Sequence, residues 1–582
     1  MRADRLAQFI PASGWMRAYQ RQQLPDDLLA GFITAVLLVP QGLAYAILAG
    51  LPPQVGLYAS ILPPVIYAFL GTSRTLSVGP VSVAALLVAD ALSASGSGSD
   101  ATYLADALLL AAMSGVILLG MAALRLDVLV NFISHPTLSG FTSGAALLII
   151  LSQFGNLLAV SVPSTGSGFA MAMVAFAEVP QSHYLTALLG ISGIALLLLS
   201  RRPLIALLTR LGMAGETATL LSRAGPLAVI VLLTALVAAL DMQNRGVAIV
   251  GDIPAGLPIP QWDFLRVDRV LDLLPAAIMI SLIGYVESIS VARVLAYRRR
   301  QKVDNNQELV ALGAANVVAS FSGGMPVAGG FSRSTVNFSA GAQTQLAGMV
   351  TACLVALVAL FFTPLFYYLP KAALAAIIVV AVASLFDWRG FLSAWRYDKA
   401  DGCTVLVTFL GVLLLSIELG LLLGVGVATA TFLWRGTRPH IAIVGRVPGT
   451  HHFRNVRRHP VETWPQLLLV RVDRSLFFAN IHYVDDYVAQ QVAEQPDIKH
   501  LVLVCSAVNT IDYSAIEALE QLAHSLRSAG ITLHLSDVKG PVMDRLEHHD
   551  LYRWLAPGQV FLSTEQAVTN MTYHNQEPSS HD

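Results

Sequence analysis

The sequence predicts a polytopic α-helical membrane protein that ends in a small α/β domain. Three observations carry this. The 582 residues are 55% hydrophobic and 13% charged, with a mean hydropathy of +0.64, which leaves too few charges to coat a large soluble surface. Between Leu28 and Trp434 the chain is a succession of apolar stretches, most near the ~20 residues that cross a bilayer core. After Trp434 a polar, Arg/His/Pro-rich segment gives way to short apolar runs that alternate with amphipathic ones.

Taken in order, the spans fall near 28–49, 56–71, 79–93, 103–123, 128–159 with a break at His135–Pro136, 184–200 and 225–240. A second set follows near 273–297, 306–322, 331–340, 346–368, 371–387, 403–417 and 419–434. Basic residues in short loops mark the cytoplasmic side. Arg74, Arg125, Arg201 with Arg202, Arg298 to Arg300 with Lys302, Arg389 with Arg396 and Lys399, and Arg435 all follow even-numbered spans. Fourteen spans with both termini cytoplasmic satisfy that pattern. Residues 1–27 hold no compact apolar core followed by a cleavage site, so they read as a cytoplasmic segment ahead of a membrane domain at 28–435.

The two sets of seven resemble each other. Pro40-Gln41-Gly42 makes a polar break in span 1 where Gly284 to Ser288 lies in span 8, and span 3 opens on Ser77 to Ser82 where span 10 opens on Gly330 to Arg333. Because seven is odd, such repeats are inverted. Paired Gly- or Pro-interrupted short spans at corresponding positions point to a transporter's binding site. Arg333 sits among glycines and hydroxyls in the stretch 329–341; an ionisable side chain at membrane depth is costly and by default functional. Free amides at the N-terminus of a broken helix suit an anion.

The C-terminal part divides into a linker at 436–464, an α/β domain at 465–570 and a disordered tail at 571–582. Strands are expected at 466–472, 500–508 and 531–538, with helices at 482–494 and 514–529, Ser514 as N-cap and Gly530 as C-cap. Several classes are excluded. The net charge of −1 gives no nucleic-acid footprint. Cys353, Cys403 and Cys505 have no ligand spacing, and neither a P-loop nor a nucleophile-base set is present, so no cofactor, metal or enzymatic activity is expected.

Gly31 to Ala35, Val39-Pro40-Gln41-Gly42-Leu43-Ala44-Tyr45-Ala46, Gly56-Leu57-Tyr58, Gly71-Thr72-Ser73-Arg74 and Ser77-Val78-Gly79-Pro80 together resemble the sulfate permease (SulP, solute carrier 26) family of anion transporters. The stretch 287–341 is similar to the same family, and the C-terminal domain resembles its STAS module. The resemblance covers nearly the whole chain. It implies 7+7 inverted repeats in a UraA-like arrangement, a core of spans 1–4 and 8–11, a gate of spans 5–7 and 12–14, and a homodimer that works by elevator movement. It also implies an anion held between half-helices 3 and 10.

The residues give physical grounds for that placement. Backbone amides at Val81 and Ser82 and at Phe331, Ser332 and Arg333 would aim two positive dipole ends at one anion. Arg333 adds a full charge, Ser332 and Ser334 add hydroxyls, and Gln41 and Tyr45 lie one turn apart on the same helix face. The alternative for Arg333 is a permanent pair with Glu287; for Gly79-Pro80 it is a bent packing helix, and for Gln41 and Tyr45 helix-helix contact. Glu287 is the one strong internal acid expected in the first half of the second repeat and is placed to couple a proton. The family's sodium-dependent members resemble an Asp with a Thr four positions on, whereas here Glu287 precedes Val291. The expected activity is proton-coupled sulfate uptake in a bacterial-type inner membrane. Bicarbonate or chloride exchange, dicarboxylate transport, and an anion-sensing regulator acting through STAS and a cytosolic partner are the alternatives. Ser514 occupies the place of the phosphorylatable serine of STAS proteins. Glu418 and His135 are read as structural.

Overall fold

A computed structural model describes residues 10–94, 100–128, 133–161, 167–215, 218, 219, 222 and 224–573. The chain forms two compact units, Met1–Ala428 and Thr429–Asp582.

Every stretch assigned to the bilayer carries helix. The first seven spans are Leu24–Leu48, Pro53–Tyr58 continued by Leu62–Leu70, Ser82–Ala94, Asp100–Ala123, His135–Leu158, Tyr184–Leu199 and Gly225–Ala239. The second seven are Val270–Arg298, Asn305–Phe321, Phe331–Ser339, Leu346–Leu357 with its π-turn extension, Lys371–Val382, Lys399–Leu414 and Ile417–Thr437. Among the described residues, eight helices are long and apolar enough to cross a membrane alone. Spans 3 and 10 are not, because 13 and 9 residues rise only ~20 and ~14 Å against a ~30 Å hydrocarbon core. Each is preceded by two residues of strand. These strands, β1 (Val78–Gly79) and β2 (Ala328–Gly329), pair antiparallel and bring the two half-helices together.

Two helical bodies surround this ribbon. In one, span 4 packs on spans 8 and 9, span 9 on span 2, and span 11 on spans 1 and 2; in the other, span 13 packs on span 5 and span 12 on spans 5 and 6. Spans 1 and 3 meet the second body at spans 12, 7 and 5. Gly115 and Gly313 let spans 4 and 9 approach backbone to backbone, since a Cβ on Gly313 would lie 3.0 Å from the Gly115 carbonyl oxygen.

Buried carboxylates tie loops to helices in the first body. Glu308, fully buried, accepts from the Tyr67 hydroxyl at 2.7 Å, the Thr72 amide and hydroxyl at 2.7 and 2.6 Å, and the Ser73 amide at 3.1 Å. Asp27, also fully buried, accepts from the amides of Gln343 and Thr344 and from the Thr344 hydroxyl. Glu287 is therefore not the sole internal acid of the early second repeat. Sequence reading passed over Glu308 because it stands among the polar residues at the start of span 9.

Other differences have plain causes. Spans 1 and 8 run unbroken through Pro40 and Gly284; membrane helices tolerate such residues when neighbouring groups meet the freed backbone. Span 1 starts at Leu24, inside the segment expected to precede the membrane domain. Helices Gly168–Glu178, Arg202–Arg210 and Trp388–Tyr397 were not expected, as they are too short or too polar to register as spans.

In the second unit six strands order as β4-β3-β5-β6-β7-β8, where β3 is Ile441–Arg446, β4 Phe453–Asn455, β5 Leu467–Val472, β6 His500–Val504, β7 Thr532–Ser536 and β8 Val560–Phe561. β5 to β8 are parallel, whereas β3 runs antiparallel to both neighbours. Helices Ile481–Glu494 and Tyr513–Ser528 cover one face of the sheet. The expected linker is thus partly sheet, because alternation in Ile441–Arg446 buries Ala442 and Val444. Ser514 is not the N-cap: the Asp512 carboxylate accepts from the Ala515 amide at 2.9 Å and the Phe478 amide at 2.9 Å. Helix Thr564–Tyr573 carries order past residue 570, and 574–582 of the expected tail lie outside the described residues.

Candidate functional site

The site forms where the two half-helices begin. The first bonds along each helix are donated by Ala85 to Val81 and by Ser334 to Gly330, at 3.0 Å in both cases. The amides of Ser82, Val83 and Ala84, and of Phe331, Ser332 and Arg333, therefore have no partner within their helices. Gly330, the N-cap of span 10, has no side chain to satisfy them.

The scaffold behind them is saturated with polar contacts. Asn316 of span 9 donates to the Val327 carbonyl and accepts from the Val327 amide, at 2.9 and 2.8 Å. The Ser288 hydroxyl accepts from the Gly329 amide at 2.7 Å, and Asn337 donates to the Thr75 carbonyl at 3.1 Å. Ser334 accepts from the Ser77 amide at 2.9 Å, so its hydroxyl locks the ribbon instead of joining the site as expected.

Arg333 crosses from one half-helix to the other. Its side chain is 2% exposed, and Nη1 donates to the Pro80 carbonyl at 2.6 Å. Nε and Nη2 are buried without a protein partner. No ion pair joins Arg333 to Glu287 among the described residues, so the permanent pair considered from sequence is not formed. A buried guanidinium with two idle donors is a large unmet demand for an acceptor. Gly330 and Gly79 make room for it: a Cβ at Gly330 would lie 3.1 Å from the guanidinium carbon, and one at Gly79 3.3 Å from Nη2.

Gln41, Tyr45, Val81, Ser82, Phe331, Ser332, Arg333 and Glu287 all line one cavity of about 40 Å³. That is several times the ~10–15 Å³ one water needs, enough for a small ion. Ala381 and Val382 at the end of span 12, with Ser384 and Leu385 in the turn that follows, close its other wall. Sequence reading missed these four, since Ser384 at the end of an apolar run is the only mark they leave. A second cavity of about 480 Å³ shares Gln41, Phe331, Ser332, Ala381 and Ser384 and extends to Arg201 and Ser222, in the loop where the basic pattern puts the cytoplasm.

Comparison with known proteins places this arrangement. Residues 24–408 match the sulfate permease family, and residues 459–567 match the STAS domain. The chain belongs to the sulfate permease family. Among relatives of this family member, sulfate transporter 4.1, chloroplastic, of Arabidopsis thaliana is 36% identical over 547 residues, covering 92% of this chain and 78% of the relative. High affinity sulfate transporter 2 of Stylosanthes hamata is 32% identical over 578 residues, covering 97% and 86%. The inward-facing structure of the murine solute carrier 26 family member A9 anion transporter superposes with a TM-score of 0.86 at 23% identity, covering 98% of this chain and 95% of that one. The transmembrane domain of the cyanobacterial bicarbonate transporter BicA gives 0.59 at 22% identity over 71% of this chain and 98% of that one. The permease is thus a multi-pass membrane anion transporter with a C-terminal STAS domain.

Proposed function

We propose that the protein takes up sulfate together with protons by an elevator movement of spans 1–4 and 8–11 against spans 5–7 and 12–14. The observation that carries this is the pair of partnerless donors on buried Arg333, aimed into a cavity that two helix N-termini also face. A tetrahedral oxyanion offers several acceptors at once: one for Nε and Nη2, others for the amides at Ser82 and Phe331 to Arg333. The sulfate transporters among its relatives favour that anion.

Glu287 lines the same cavity, so its charge and the anion's are felt together. A proton on Glu287 offsets part of a divalent anion's charge, and its departure on the cytoplasmic side helps eject the anion. Sodium fits less well, because Val291 stands where a hydroxyl ligand would be needed and is itself buried. The larger cavity reaching Arg201 corresponds to cytoplasmic release. The setting is a bacterial-type inner membrane with cytoplasmic termini, and the working unit is a homodimer. The exposed Ser514 hydroxyl, in the first turn of its helix, is the candidate phosphosite through which a cytosolic partner would act.

Labelled sulfate uptake into proteoliposomes under imposed proton or sodium gradients tests this, with Arg333→Gln and Glu287→Gln alongside. Proton-driven uptake that Arg333→Gln abolishes and Glu287→Gln uncouples from the gradient is expected. Uptake indifferent to Arg333, or driven equally by sodium, would overturn it.

A further inference from the structure

Span 14 ends with Phe432 and Trp434 exposed, 66% and 65%, and tryptophan is a residue that marks the membrane surface. Arg438, three residues after Arg435, lies over the Trp434 ring at 5.0 Å. The chain enters β3 three residues later, and the register of β3 with its neighbours decides which side chains return to this point.

β4 returns antiparallel along β3, with Val444 opposite Asn455, and the Val456 amide donates to the Ile443 carbonyl at 3.1 Å. Residues 456–459 then turn off the strand at the level of Ile443, two residues from Ile441 where the chain came from the membrane, with the Arg458 and His459 amides donating to the Asn455 carbonyl at 3.0 and 3.2 Å. β5 runs the same way and ends with Val472 opposite Ile441; the Asp473 amide donates to the His440 carbonyl at 3.0 Å, and Arg474 reaches the Arg435 carbonyl at 3.0 Å. One end of the sheet thus gathers Arg438, Arg457, Arg458, His459 and Arg474, with Arg454 alongside on the edge strand.

Carboxylates nearby are already engaged. Arg446 holds Glu462 and Glu565, while Arg471 and His440 hold Asp473. Arg454, Arg457 and Arg458 are exposed and have no carboxylate partner among the described residues. Basic residues on an edge strand commonly discourage edge-to-edge pairing, which accounts for Arg454. It does not account for Arg457, Arg458 and His459, which lie beyond the strand.

We propose that this basic end of the sheet binds the headgroups of anionic phospholipids in the leaflet from which span 14 emerges. Cationic side chains held close to a membrane exit meet that leaflet's surface potential, and each contributes a favourable increment. The contact fixes the end of the STAS domain nearest the bilayer through charge and not through a specific pocket.

The test uses the full chain in nanodiscs of phosphatidylcholine alone or mixed with phosphatidylglycerol, with amide hydrogen exchange over 453–459 as readout. Three arginines at the surface lead to exchange slowed about tenfold or more by the anionic lipid, lost at high salt. The triple variant Arg454→Gln, Arg457→Gln, Arg458→Gln should lose the lipid effect while exchange in β5 to β7 stays unchanged, which separates lost binding from lost folding. Three results would overturn the proposal. These are equal exchange in both lipids, protection that survives in the triple variant, and protection by inorganic phosphate or an oligonucleotide with no response to phosphatidylglycerol.

Discussion

At the residue scale, Gly330 separates a backbone requirement from a side-chain one. Its φ of −81° and ψ of 128° are ordinary for alanine, so Gly330→Ala places no strain on the chain. Its new Cβ, 3.1 Å from the Arg333 guanidinium carbon, would instead push the idle donors out of line. A folded, correctly melting protein with an apparent KM for sulfate raised about tenfold, equivalent to ~1.4 kcal/mol, is the expected outcome. Uptake kinetics and thermal melting measured on the same preparation check it, and an unchanged KM would mean that the guanidinium does not touch the anion. The eight residues singled out from sequence meet in one cavity because their signal is local: a charge, a glutamine or an acid in an apolar helix has few reasons to be there. Ala381 and Leu385 carry no such signal, since an apolar wall residue looks like any lipid-facing neighbour.

Elements transmit this order over longer distances, and Asn316 is the clearest case. Its carboxamide satisfies both polar groups of buried Val327, the residue before β2. Asn316→Ala would leave an amide and a carbonyl unpaired at ~1–3 kcal/mol each. The melting temperature should fall and sulfate uptake should be lost along with it; a variant as stable and active as the parent would mean that water replaces the contact. In the second unit, His534 on β7 accepts from the Gln559 amide at its Nδ1 and meets His500 through its Nε2, at 3.1 and 3.2 Å. Burial, with His500 beside it, pushes His534 down from 6.5 to about 4. In that window the unfolded chain binds the extra proton, so stability falls as pH drops from about 6.5 towards 4. Melting of the second unit followed across those pH values should show this loss, and His534→Asn, which keeps an acceptor for Gln559 and cannot titrate, should flatten it.

For the whole molecule, span number and order were legible because lipid leaves the chain only one solution, a helix that satisfies its own backbone. Which span belongs to which body came from the family resemblance and not from the residues themselves, since it is decided by packing between surfaces that are all apolar; Glu308 and Asp27, the carboxylates that hold the first body together, lie at helix starts where acids are ordinary. The division matters because an elevator requires spans 1 and 10 to slide against span 12. Val336 on span 10 and Val380 on span 12 both line the larger cavity without touching the central one. With Cys353 and Cys403 replaced by serine, a Val336→Cys, Val380→Cys pair bridged by a bifunctional thiol reagent should stop sulfate uptake while sulfate still raises the melting temperature. Binding without transport is what a frozen elevator predicts, whereas a fixed pore with a small local gate would keep conducting. Full uptake by the bridged protein would therefore remove the elevator and leave the anion site in place, because the two claims rest on different contacts.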